Sequence, residues 1–76
     1  MVVAMNDLAD AIDLANEIGL TATARRLSIG DPASLQFAET VLDSCLVLMH
    51  DAGERQEKYK RLSRLIRAAI RRQARR

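Results

Sequence analysis

Two side chains in this 76-residue sequence are suited to nucleophilic or acid–base chemistry near neutral pH, the single cysteine Cys45 and the single histidine His50. A thiolate–imidazole pair needs both groups on one surface within hydrogen-bond reach. Five residues apart, and advancing ~100° per residue, they face different sides of a helix. Cys45 falls among apolar neighbours, where a thiol serves as a small hydrophobe. His50 falls among polar ones near a helix end, where solvation and the helix dipole account for it. No CxxC, HExxH or histidine pair offers a zinc site, and no glycine-rich loop offers a phosphate cradle. Asp7, Asp10, Asp13 and Glu17 recur three or four residues apart. That spacing could pair carboxylates for acid–base work, but an exposed acidic face accounts for it more simply. The same face could receive an arginine-rich helix from this chain or another. The expectation is a non-enzyme that uses no cofactor and no metal.

The elements that carry these residues are predicted to be helices. Apolar residues make up 49% of the chain and are mainly Leu, Ile, Val and Ala, with one Phe, one Tyr and no Trp, a palette that favours helix packing over strands. Gly19, Gly30, Pro32 and Gly53 fall between helically periodic stretches. The expected architecture is all-α in a single domain spanning 1–76, a bundle or hairpin of three to four helices at about 6–18, 22–28, 32–52 and 54–74. Asn6 caps the first and Thr21 the second. Asp31 followed by Pro32 is the clearest start signal, a carboxylate cap before a residue whose missing N–H costs nothing at the first helical position.

On a wheel the third helix gathers Phe37, Leu48, Val41, Ala52, Cys45, Ala38, Met49, Leu42, Leu35 and Leu46 on one half, with only Val47 breaking the division. Half a circumference is wider than the ~100° stripe that packs on one neighbour. More than one neighbour must cover it, and a second copy of the chain would complete the cover as a homodimer. Leu35, Val41, Leu42, Cys45, Leu48 and Met49 are the expected self-association or partner face. The chain's small size points the same way, since a lone core of this length is marginal.

Charge is divided along the chain. Residues 1–57 hold all ten acids and three bases, a net of −7, whereas 58–76 hold nine bases and no acid. Residues 58–76 read as a basic amphipathic helix with Tyr59, Leu62, Leu65, Ile66, Ala69 and Ile70 on one arc. Lys60, Arg61, Arg64, Arg67, Arg71, Arg72 and Arg75 lie opposite and are the candidate binding residues for a partner protein or a nucleic acid. Spacing of Asp51, Glu54 and Glu57 four residues before Arg55, Lys58 and Arg61 supports an unbroken helix through Gly53. Asp51 with Glu54 reads as a capping box for a new one. A bend near Gly53 is favoured, because the apolar face rotates there by roughly a quarter turn and GERQE adds nothing to a seam.

The segment Leu20 to Gln36, LTATARRLSIGDPASLQ, resembles in outline the helix-turn-helix phrase of bacterial transcription regulators, with Ala24-Arg25-Arg26-Leu27 before a turn and a second helix. It covers about a quarter of the chain. The resemblance implies a DNA-binding regulator reading bases from the third helix. Ser28 stands where the phrase places a glycine, and the would-be recognition helix presents Gln36, Glu39, Thr40 and Asp43, two of them acids that phosphates repel. The expected function is therefore a non-catalytic regulatory or inhibitory module that binds a partner protein, with a nucleic-acid-binding regulator as the alternative. With a single cysteine, no membrane-spanning run and no leader-like opening, the expected address is the cytoplasm.

Overall fold

The computed structural model describes residues 7–49 and 53–74. Among them the chain is entirely helical: α1 (Asp7–Glu17), α2 (Thr21–Ile29), α3 (Pro32–Leu48) and α4 (Glu54–Ala74). Each helix packs on two others in a closed ring, α1 on α2 and α4, α3 on α2 and α4, while the diagonals stay apart. The longest dimension is 37 Å, which excludes one continuous helix through Gly53. Such a helix from Pro32 to Ala74 would measure roughly 65 Å at 1.5 Å per residue.

The turns follow from local chemistry. At the end of α1 the Leu20 N–H donates to the Ala15 carbonyl at 2.8 Å and the Gly19 N–H to that of Asn16 at 3.1 Å, with Gly19 at φ 84°. This is a Schellman closure, and the following apolar residue, Leu20, packs against the core as such closures favour. Gly30 ends α2 in the same left-handed region, at φ 79°. One residue on, the Asp31 carboxylate accepts the Ser34 N–H at 3.1 Å and Pro32 opens α3. The Ser34 hydroxyl, and after it the Ser34 N–H, lower the Asp31 carboxyl below its ordinary value.

α1 ends and α2 starts and ends within one residue of expectation, and two features of the boundaries differ in their chemistry. Thr21 does not cap α2; the helix already includes it, Leu20 stands at the cap position without a side-chain hydrogen bond, and the Ala24 N–H reaches the Leu20 carbonyl. The Schellman closure presents that carbonyl to the new helix, so no hydroxyl cap is used. α3 stops at Leu48 instead of 52, because Met49 turns extended at φ −79°, ψ 125°. Asn6, His50, Asp51, Ala52 and Arg75 lie outside the described residues, and with them the proposed Asn6 cap and the Asp51–Glu54 capping box.

The core collects Ala11, Leu14 and Ala15 from α1, Ala24 and Leu27 from α2, Leu35, Ala38 and Leu42 from α3, and Tyr59, Leu62, Ile66 and Ala69 from α4. Ala11 and Ala15 of α1 and Ala38 of α3 are fully enclosed. Leu27, Leu35, Leu42, Leu62 and Ile66 are its largest fully enclosed side chains. Burying each stabilises the fold by about 1.5–3 kcal/mol of transfer free energy. Gln73 of α4 closes the far end, its amide N–H donating to the Gly30 carbonyl between α2 and α3.

Candidate protein-docking surface

The basic arc of α4 does not face solvent as a single field. On one flank Arg67 Nε donates to Glu39 Oε2 at 2.6 Å, and its Nη2 reaches both oxygens of Asp43 at 3.3 Å. Ser63, buried next to Asp43, donates a longer hydrogen bond to the same carboxylate. The Glu39 hydrogen bond, with Asp43 adding to it, raises the Arg67 pKa above its already high value. On the other flank Lys58 pairs with Glu17 at 2.8 Å and Arg72 with Asp7 at 3.0 Å. Arg61 shares an open cleft with Asp10, Asp13 and Glu17 between α1 and α4.

The acidic face of α1 and the two acids of α3 therefore serve as counter-charges to α4. What remains outward of the basic arc is one row, Lys60, Arg64 and Arg71. Lys60 sits 4.0 Å from Glu57, while Arg64 and Arg71 have no carboxylate partner among the described residues. Lying within ~40° of one another on the wheel, they form a narrow ridge with ion-paired acids on both sides. Arg75 falls outside the described residues.

Of the six residues expected on the α3 face, the structure takes two away. Leu35 and Leu42 are 0% and 1% exposed, enclosed by the chain's own helices. They are corrected from surface to core: α2 and α4 flank α3 and cover that part of its wide face. Cys45 and Met49 are half-buried against the same core, and Val41 is half-buried beside them. Leu48 alone of the six stands well out, at 73% exposure.

The apolar surface that does remain lies elsewhere on the helix. Val47 is 79% exposed and Phe37 50%, with Ile29 at the end of α2 also exposed. Ala33, Phe37, Thr40, Val41, Ser44, Val47 and Leu48 fall within an arc of about 120° that contains no charged residue. Thr40 and Ser44 donate their hydroxyls to the carbonyls four residues back, Gln36 and Thr40. Their donors are satisfied within the helix, leaving methyl, methylene and ring surface outward. At its edge the Arg26 guanidinium lies over the Phe37 ring, 4.2 Å from the centroid, a cation–π contact that holds the ring.

Val47 was visible in the sequence as the one apolar residue on the polar half of the wheel. Together with Thr40 and Ser44 it marks a second, weakly polar seam that a two-way division into apolar and polar halves hides. The chain matches no protein-family model, no curated protein and no solved structure. The site is thus defined by its own chemistry. Among the described residues no helix is long and apolar enough to cross a membrane, and no three Cys, His, Asp or Glu side chains gather as metal ligands.

Proposed function

We propose that this chain is a non-catalytic regulatory or inhibitory module that binds a partner protein through the outer face of α3, with the α4 ridge as a charged edge and with self-association on the same face. The observation that carries this reading is the uncharged α3 seam, where Val47 and Leu48 stand open to solvent and the hydroxyls of Thr40 and Ser44 are turned back on their own helix. Exposed apolar surface rimmed by polar groups is characteristic of protein-binding sites. By covering a functional surface of its target, such a module would block assembly or ligand access. A free Cys45 fits action in the reducing cytoplasm.

Nucleic-acid binding, the runner-up, would use Lys60, Arg61, Arg64, Arg67, Arg71, Arg72 and Arg75, assisted by Arg25 and Arg26. Arg67 and Arg72 are engaged with Glu39, Asp43 and Asp7. To meet phosphates they would leave those carboxylates bare beside the same phosphates, which is unfavourable. The outer face of α3, where a recognition helix would present polar side chains to bases, offers Phe37, Val47 and Leu48 instead.

The test pairs two measurements. Fluorescence anisotropy of a labelled random duplex is followed at low and near-physiological salt with the full chain and with Arg64→Ala/Arg71→Ala. The expected result is no binding near physiological salt. Tight, steeply salt-dependent binding lost in the double variant would transfer the function to nucleic acid. Removing α4 altogether is unsuitable, because Tyr59, Leu62, Ile66 and Ala69 belong to the core. In parallel, immobilised chain is compared with Val47→Asp/Leu48→Asp; a protein retained by the first and not by the second identifies the docking face.

A further inference from the structure

We infer that the occupant of the α3 seam is an acidic amphipathic helix of a partner protein, whose apolar side chains lie along the seam and whose carboxylates meet Arg25 and Arg26 of α2. The inference rests on the reading of that seam as a protein-docking face and gives the chemistry of its partner.

The α2 edge of the seam is basic. α2 carries no acid, and Arg25 and Arg26 stand four and three residues before Ile29, a spacing that sets them on one face of the helix with it. Arg25 and Ile29 are exposed and Arg26 is half-buried. Neither arginine has a carboxylate partner among the described residues. Arg26 is nevertheless held in place, because its guanidinium lies over the Phe37 ring, 4.2 Å from the centroid. A guanidinium positioned on a ring keeps its N–H donors for a carboxylate, and much of the cost of ordering a long side chain is met before a partner arrives. The nearest acid in sequence, Asp31, is engaged with the Ser34 N–H.

Phe37 joins this basic edge to the apolar strip. From Phe37 to Leu48 is 11 residues of α3, about 16 Å or three turns. Backbone groups along it are hydrogen-bonded within the helix, so no edge is offered for strand addition, and the fitting mode is a helix laid on the apolar face. Such a helix needs apolar side chains at three- and four-residue spacing, with carboxylates toward the end that meets Arg25 and Arg26. On the opposite edge Glu39 and Asp43 are taken by Arg67. The chain's own acidic helix does not fit the role, because α1 is tied to α4 through Glu17 with Lys58 and Asp7 with Arg72. The acidic helix therefore comes from another protein.

The probe is a synthetic amphipathic helix of about four turns, with leucines at three- and four-residue spacing and two glutamates at one end; in its control both glutamates are lysines. Each is titrated into the isotope-labelled full chain at low salt and followed by amide NMR shifts. The glutamate peptide is expected to move the amides of Arg25, Arg26, Phe37, Val47 and Leu48 and to bind several-fold tighter than the lysine peptide, an advantage that added salt reduces. Arg25→Glu/Arg26→Glu, with circular dichroism confirming unchanged helicity, should reverse that preference, which a merely loosened fold would not do. Equal binding of the two peptides, lost in Val47→Asp/Leu48→Asp, would overturn the acidic partner while leaving the seam as a docking face. No binding of either peptide, or shifts confined to α4, would also overturn the inference, and the capture comparison then tests the seam separately. A dimer mass in sedimentation equilibrium that Val47→Asp/Leu48→Asp abolishes would make a second copy the occupant instead. Displacement of the glutamate peptide by a DNA duplex would assign the Arg25 and Arg26 edge to nucleic acid.

Discussion

Lys58 of α4 donates a 2.8 Å hydrogen bond to Glu17 of α1, joining the last residue of the first helix to the first turns of the last across 41 positions of sequence. Where these ends meet, α1 and α4 close the ring of helices. The pair couples the fold to pH at both extremes.

For Glu17 the hydrogen bond from Lys58, aided by the cation's charge, lowers the carboxyl below its ordinary value. Such a group stabilises the fold above its unfolded pKa, about 4.3, and loses that contribution as pH falls through the lowered folded value. Lys58 is raised by the same hydrogen bond and charge. Its contribution is complete below about 10.4 and is lost as pH rises through the raised folded value. Glu17→Gln is therefore expected to show a smaller drop in urea midpoint between neutral pH and about pH 3 than the parent. An unchanged drop would assign the acid limb to Asp31 instead, whose carboxyl is also lowered. Both side chains are largely solvated, so the change in midpoint should be modest.

Core and ridge should respond differently to truncation. Leu62→Ala or Leu42→Ala removes a side chain with 0% or 1% exposure and should cost about 2–5 kcal/mol in chemical denaturation. Arg64→Ala, on the open row of α4, should fall within about 0.5 kcal/mol of the parent. A large loss at Arg64 would show that the ridge has a structural partner.

Gly30 and Gly53 make a paired backbone test. A Cβ at Gly30 would meet nothing closer than Leu8 Cδ2 at 3.8 Å, yet φ there is 79°. Gly30→Ala should thus destabilise through backbone strain alone, by about 1–2 kcal/mol. Gly53 has open space around it and no positive φ. Gly53→Ala should be neutral or stabilise by about 0.4–1 kcal/mol, by restricting the unfolded chain. Equal effects at the two sites in thermal melts would contradict the turn described for Gly30.

At the start of α3, Asp31→Ala should lower the melting temperature, and Asp31→Asn should retain most of it, because the amide oxygen can still accept the Ser34 N–H. At acid pH, where the carboxyl is protonated, Asp31→Asn should converge with the parent and Asp31→Ala should stay below both, having no oxygen to accept the Ser34 N–H. An Asp31→Asn loss as large as that of Asp31→Ala at neutral pH would mean that the cap acts through its charge.

The helices and most of their ends were legible because their signals are local: Asp31-Pro32 before α3, Gly19 and Gly30 after α1 and α2, three- and four-residue apolar spacing throughout. Thr21 misled because a hydroxyl before a periodic stretch resembles a cap, while the preceding Schellman closure had already positioned the Leu20 carbonyl. The wheel of α3 showed a face too wide for one neighbour, but a wheel cannot say which part the chain covers itself. Leu35 and Leu42 went inside; Phe37, Val47 and Leu48 stayed out. In the same way the arginine arc was readable, whereas its division into paired flanks and an open row depends on where Asp7, Glu17, Glu39 and Asp43 arrive in space. Buried Ser63 carried no sequence signal; it is polar among arginines, and only Asp43 across the helix pair gives it a place.

The closed ring has a further consequence for biosynthesis. The first three helices emerge from the ribosome rich in acid and short of countercharge, and the four core side chains of α4 are still in the tunnel. Native packing must therefore wait until the basic helix is released, so the nascent chain passes through an acidic, half-lined state. A chaperone or translation pause acting on this protein would meet that state before any finished surface existed.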